Sequence, residues 1–233
     1  TARVPGPDED EGPPRVEPVE FAHVVVDEAQ ELTPMQWRML ARRGRRATWT
    51  IVADQAQSAL ADRGAARAAM EAVLPGPRHE HRLSTNYRNP REIFDFAAAV
   101  LGPQRATADL PVAARTGGRD PEVRTVPADG VDVALDRAVA DLLDLVAGSI
   151  AVIVSDDAEV ESLARLHGDR VRVLTALECK GLEYDGVVVA RPERIAAAAA
   201  SPEVGARLLY VVLTRATQHL ICVTADPAWP QTG

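Results

Sequence analysis

The sequence predicts an α/β protein made of two doubly wound units with parallel sheets. Three observations carry this. Short apolar runs, Val24-Val25-Val26 above all, have the unbroken character of strands buried on both faces of a parallel sheet. These runs alternate with amphipathic, capped helical stretches along both halves of the chain. Between the halves, the stretch from Gly102 to Asp120 is rich in Pro, Gly and Arg and weak in pattern, which marks a domain boundary. The predicted organisation is an acidic, Pro-rich linker over 1–20, a first unit over 21–103 and a second over 104–233.

Taken in order, Thr1 to Glu20 has no periodicity and reads as a linker or disordered lead-in, and its abrupt start suggests a piece of something longer. Phe21 to Gln30, FAHVVVDEAQ, is a strand that ends in two carboxylates, Asp27 and Glu28. Ligands of open α/β sheets bind beyond the carboxyl ends of the strands, and paired acids there suit a metal-nucleotide site, although an acidic turn after a strand is an equally good reading of these residues alone. Thr33-Pro34-Met35-Gln36 supplies an N-cap, a proline at the first helical position and the glutamine of a capping box, so a helix is expected over Pro34–Arg43. The arginines at its end complement the helix carboxyl terminus.

Thr48–Val52 is a second strand of buried type, ending in the polar run Ala53-Asp54-Gln55-Ala56-Gln57. A helix near Gly64–Leu74 and a strand near His79–Leu83 follow. Asn89-Pro90-Arg91-Glu92 has the cap, proline and acid of a helix start, which leaves Arg88 in a strand-to-helix turn, either paired with a local acid or free to meet a phosphate. Beyond the boundary the pattern predicts strands near Glu122–Val126, Ile150–Val154, Val171–Leu174, Val187–Val189 and Leu220–Thr224. It predicts helices near Val131–Val146, Asp157–Leu166 and Pro202–Ala216. Ala196 to Ala200 is low complexity.

Composition sets limits on function. At 233 residues, with 46% hydrophobic and 26% charged residues, the chain has the make-up of a soluble globular protein with real cores. Apolar runs such as Ile195–Ala200 are too short to span a bilayer and no signal pattern opens the chain, so no membrane association and a cytoplasmic location are expected. Cys179 and Cys222 have neither disulfide-framework nor zinc spacing. Half of the net charge of -8 lies in the first twenty residues, so no general polyanion-binding surface is indicated. Lys180 is the only lysine. Trp37 and Trp49 read as core residues, Cys179 as an inert buried thiol, and the histidines carry no metal spacing.

Five segments in fixed order resemble the ATPase core of superfamily 1 helicases of the UvrD/Rep type. Val24–Gln30 is similar to the Walker B motif, Ile51–Gln57 to the third motif, and Leu83–Arg88, with its NYR, to the fourth. Thr175–Glu183, with KGLE, is similar to the fifth, and Leu208–Ala216, LLYVVLTRA, to the sixth. The resemblance implies two RecA-like units, a partial first motor domain and a second motor domain. It implies ATP and Mg²⁺ as cofactors, with Asp27 holding the metal, Glu28 as catalytic base and Gln57 sensing the γ-phosphate. Arg88 and Arg215 would be arginine fingers, Glu183 would bind the ribose, and Gln30 would couple nucleotide state to the neighbouring motifs.

The sequence also departs from that pattern. The phosphate-cradling loop G-x-x-x-x-G-K-[ST] is absent, because Lys180 has no such glycine frame, so this chain alone is not expected to hydrolyse ATP efficiently. A Walker A segment upstream in a longer natural protein is the simplest explanation. Where UvrD-type proteins carry a tyrosine and a base-stacking tryptophan, this chain has Leu60 and Asp62, and Leu177 replaces a histidine. Fewer than ninety residues separate the fourth and fifth motifs, too few for a large inserted domain. Together with Pro34-Met35-Gln36-Trp37-Arg38 and LTRATQ, this looks most like the HelD proteins, helicase-like ATPases that bind RNA polymerase and help dissociate it from stalled complexes. RNA polymerase is then the expected partner, with nucleic acid possible. A DNA repair helicase translocating on single strands and a non-catalytic interaction module are the competing readings.

Overall fold

The computed structural model describes residues 21–54, 57, 58, 60, 62–74, 76–106, 108 and 110–230. The expected lead-in over 1–20 lies outside them. The fold is α/β with parallel sheets, as the sequence predicts. Strands β1 (His23–Val26) and β2 (Thr48–Ile51) pair in parallel, as do β3 (Thr85–Pro90) and β4 (Val112–Arg115). A five-stranded sheet runs in the order β5 (Glu122–Thr125), β9 (Ala216–Thr224), β8 (Tyr184–Ala190), β6 (Ile150–Val154), β7 (Val171–Thr175), and every pair in it is parallel.

The small sheet is covered by α1 (Pro34–Arg43) and α2 (Arg63–Val73). The capping box forms as expected, with Thr33 Oγ1 accepting from Gln36 N and Gln36 Oε1 accepting from Thr33 N. Val26, Ala29 and Trp37 make its core, with Trp49 and Ile51 packed against them. The expectation that β1 is buried on both faces is corrected here. Residues of one parity, Val24 and Val26, face the helices, whereas Val25 is 65% exposed. His23, on the same face as Val25, bonds through its ring to the Thr48 and Thr50 hydroxyls across the pair. Two strands with helices on one face present a half-buried surface, so the period-two rule governs.

In the large sheet, alternation along each strand serves two cores. Ile150, Val152, Val154, Val188 and Ala190 face α4 (Val131–Leu145), meeting Leu135, Ala138, Val139 and Leu142. Ala151, Ile153, Val187 and Val189 face α3 (Arg91–Val100) and α7 (Pro202–Leu213), meeting Ile93, Ala97, Leu209, Val212 and Leu213. Helices on both faces bury both parities, which is why Ile150–Val154 is apolar throughout. Each fully buried branched side chain contributes roughly 1.5–3 kcal/mol. Helix α3 lies before residue 103, on the first-unit side of the expected boundary, yet its apolar face completes the core of the second sheet. Two shorter helices, α5 (Asp157–Ser162) and α6 (Pro192–Ala197), finish the pattern. No helix among the described residues is long and apolar enough to cross a membrane.

Around Arg88 the structure differs from the sequence reading in two ways. Residues 79–83 form no strand, and the strand is β3, so Arg88 lies within a strand rather than in a turn. The Asn86 carbonyl oxygen Oδ1 accepts from the amides of Arg88 and Asn89 and bulges the strand between Asn86 and Pro90. Nor does Asn89 cap α3; Pro90 holds the N-cap position without a side-chain bond. Asn89, 2% exposed, instead donates from Nδ2 to the carbonyls of Thr214 (2.8 Å) and Ala216 (2.7 Å). A long-range partner displaced a local one, because the α7–β9 turn leaves these buried carbonyls to be satisfied.

Asn89→Ala strips a donor from two buried carbonyls and is expected to cost roughly 1–3 kcal/mol in urea unfolding, against less than about 0.5 kcal/mol for Arg67→Ala, whose pair with Glu71 is exposed. Burial pushes the Cys179 thiol up to about 11 and raises that of Cys222 further still. Neither thiol is therefore expected to react with a disulfide reagent at pH 8 in the native protein, and both react in denaturant.

Candidate active site

The two acids leave β1 through a strained turn. Glu28 has φ 51° and ψ 38°, the left-handed region that costs an ordinary residue roughly 1 kcal/mol or more. The turn is held at both ends. Asp27 Oδ1 accepts from Glu28 N at 2.9 Å, and Ala29 N donates to the Val52 carbonyl at 3.0 Å. This reversal buries Ala29 and Gln30 while leaving the carboxylates of Asp27 and Glu28 exposed.

From Glu28 a chain of hydrogen bonds crosses to the second sheet. Gln30 Nε2 donates to Glu28 Oε2 at 2.5 Å, and Gln30 Oε1 accepts from Asp54 N at 2.9 Å. The Asp54 carboxylate accepts from Gln57 Nε2 at 2.7 Å, and Gln57 Oε1 accepts from Arg215 Nη2 at 3.0 Å. Arg215 is 1% exposed, and its other donors meet the carbonyls of Val211 (2.9 Å) and Leu182 (3.2 Å). Burial lowers the guanidinium pKa, and the positive charge of Arg88 adds to that; Glu28 and Glu183 act in the opposite sense. Four of the predicted site residues therefore share one electrostatic environment although they come from four separate elements.

Arg88 and Glu183 pair with each other, Nε to Oε1 at 2.5 Å, and both are partly exposed. Two further contacts tie the units together. Lys180 Nζ bonds Glu31 Oε2 at 2.8 Å, and Arg207 Nε donates to the Ser58 carbonyl at 2.8 Å, each across 149 residues of sequence. The resulting cleft is lined by Glu28, Gln30, Glu31, Gln57, Lys180 and Gly181. Asp27, one residue before Glu28 in the chain, does not line it.

Sequence reasoning missed Asp54, Glu31 and Lys180. Asp54 had a signal, the polar end of β2, whereas the Lys180–Glu31 pair has none, since no local pattern joins residues so far apart. It also passed over Tyr87, the residue before Arg88 in β3, which is 72% exposed. Of the departures, Asp62 is the N-cap of α2, accepting from Ala65 N at 2.8 Å, and Leu177 is exposed. Among the described residues no three His, Cys, Asp or Glu side chains cluster as a metal site. Asp27 offers a single carboxylate, which suits Mg²⁺, an ion that completes its shell with water and phosphate oxygens. The residues present fit the metal and terminal phosphate end of a nucleotide; no phosphate-cradling glycine loop is among them.

Comparison with known proteins gives one family match. Among solved structures, the C-terminal domain of a possible DNA helicase from Lactobacillus plantarum WCFS1 is similar at 22% identity, over 64% of this chain and 94% of that one, with a TM-score of 0.47. No curated protein matches. Residues 170–223, the span holding β7, Lys180, Glu183, α7 and Arg215, match the family model of the UvrD-like helicase C-terminal domain.

Proposed function

We propose that the chain is the C-terminal portion of an ATP-dependent, superfamily 1 helicase-like motor of the HelD type, one that uses ATP hydrolysis to remodel or release RNA polymerase. The observation that carries the motor reading is the hydrogen-bond chain from Glu28 through Gln30, Asp54 and Gln57 to Arg215. It joins an acid on one sheet to a buried cation on the other, as a hydrolytic site shared between two units requires. The polymerase reading is favoured by Asp62, which serves as a helix cap where a strand-gripping aromatic would be expected. It is favoured also by the residues between Arg88 and Thr175, which are taken up by α3, β4, β5, α4, β6, α5 and β7 of the fold itself.

ATP with Mg²⁺, when bound, supplies the phosphoryl group and the cationic charge that balances it. Asp27 is the residue to hold the metal, through water. Glu28 is the base: Gln30 Nε2 holds its Oε2, which fixes the carboxylate and leaves Oε1 for the attacking water, whose proton it accepts. Gln57 stands between Asp54 and Arg215, so a change at the phosphate end is felt on both sheets. Arg215 is preorganised by two carbonyls and stabilises charge that develops on the phosphoryl oxygens. Arg88 and Glu183 release one another to act, Arg88 on phosphate and Glu183 on a ribose hydroxyl. Movement of the units that carry Gln57 and Arg215 is then the mechanical output.

A second reading, a UvrD-like DNA repair helicase translocating on single strands, is favoured by the family match over residues 170–223. In the natural full-length protein, Glu28→Gln is expected to lower ATP turnover about 10²- to 10⁴-fold with KM changed far less, and Arg215→Ala about 10³-fold or more. Turnover that survives Glu28→Gln sinks the assignment of the base. Release of bound RNA polymerase that depends on ATP supports the HelD-type reading; stimulation of turnover by single-stranded DNA without such release supports the repair helicase.

A further inference from the structure

A second pocket, of about 310 Å³, lies against β3 and shares no lining residue with the cleft; its polar wall is Arg115, Arg119, Gln218 and His219. The loop Thr116-Gly117-Gly118 that closes it is built for that place. Gly117 has φ +84°, and a Cβ on Gly118 would lie 2.5 Å from the Pro90 Cβ, so only glycine lets the loop pass. The Glu92 carboxylate accepts from the amides of both glycines at 3.1 Å and pins the loop to the start of α3.

Glu92 keeps its negative charge in that role, behind the glycine loop, and the charged side chains that line the pocket itself are Arg115 and Arg119. Neither Arg115 nor Arg119 forms an ion pair among the described residues. Arg115 Nη1 donates to the carbonyl of Arg88 at 2.7 Å, and its remaining donors have no hydrogen-bond partner among those residues. Burial, and to a lesser extent the charge of Arg119, lower the His219 pKa. Asp185 stands behind the pocket wall, where it accepts from Gln218 Nε2 and from Ser149 N. In a chain of net charge -8, two unpaired guanidinium groups and an imidazole converging from β4, its following loop and β9 are an anion site by charge and by geometry.

We propose that this pocket binds a phosphate group, separately from the nucleotide cleft, between Arg115 and Arg119 with His219 as a third donor. Phosphate fits better than carboxylate because its oxygens serve three donors that come from three directions. The group is either free phosphate or pyrophosphate, or a phosphodiester of a nucleic acid strand. The site stands whether or not the chain takes part in ATP hydrolysis. Through the Arg115–Arg88 carbonyl bond, its occupancy bears on the backbone of β3 that carries Arg88.

The test follows the His219 imidazole resonances, assigned by their loss in His219→Gln, while inorganic pyrophosphate or a short oligothymidylate is added to the chain. Saturable shifts are expected, with a raised His219 pKa as the bound anion offsets the charge of Arg119. Arg119→Ala, at an exposed position with no contact that holds the fold, is expected to weaken the binding about tenfold, while Arg67→Ala leaves it unchanged. Shifts with pyrophosphate alone assign a free phosphate ligand, and tighter binding of oligothymidylate assigns a nucleic acid backbone. No shift with either, or equal binding in Arg119→Ala, overturns the proposal.

Discussion

The contact between Gln57 and Arg215 is the one on which the candidate site depends. Arg215 is a charge with almost no water around it, and burial of a guanidinium is tolerated only where every donor has a partner. Two of its partners are carbonyls of its own unit. The third is an amide oxygen on the other unit, at the end of a chain that begins on Glu28. Without Gln57, Arg215 Nη2 keeps only its longer contact to the Thr214 hydroxyl at 3.5 Å, so the bond across the two sheets is the better of that donor's two.

Other long-range contacts of the chain are polar as well. Asn89, Arg207 and Lys180 each cross between parts of the chain far apart in sequence, and each closes a backbone carbonyl or a carboxylate that would otherwise lie open. Polar junctions of this kind open at lower cost than an apolar core, because water replaces the lost partners. Apolar packing holds the strands that present the site residues: Val26, Ala29 and Trp37 under the small sheet, and the large-sheet core, which Ile93, Phe94 and Ala97 of α3 join.

Much of this was legible in the sequence. The runs Ile150–Val154 and Val187–Val189, the Thr33 capping box and the α/β alternation follow from periodicity and capping chemistry, which are local. Glu28, Gln30, Gln57 and Arg215 were named from their motifs, and the structure brings them into one hydrogen-bonded line. What the sequence could not carry was partner choice. Asn89 looks like a helix cap until the carbonyls of Thr214 and Ala216 claim its amide. Arg88 and Glu183 look like independent ligands until they pair. The half-exposed β1 was misread for a related reason: three valines in a row say that a strand is apolar, whereas the number of layers packed against it is a property of the whole sheet.

The central claim is that Gln57 and Arg215 act as one unit across the two sheets, and a double-mutant cycle on ATP turnover in the natural full-length protein tests it most directly. If the claim holds, Gln57→Ala and Arg215→Ala are strongly non-additive, and the double variant is about as impaired as the worse single variant. Effects that multiply independently would contradict it, since two residues that contribute separately to turnover do not share a mechanism.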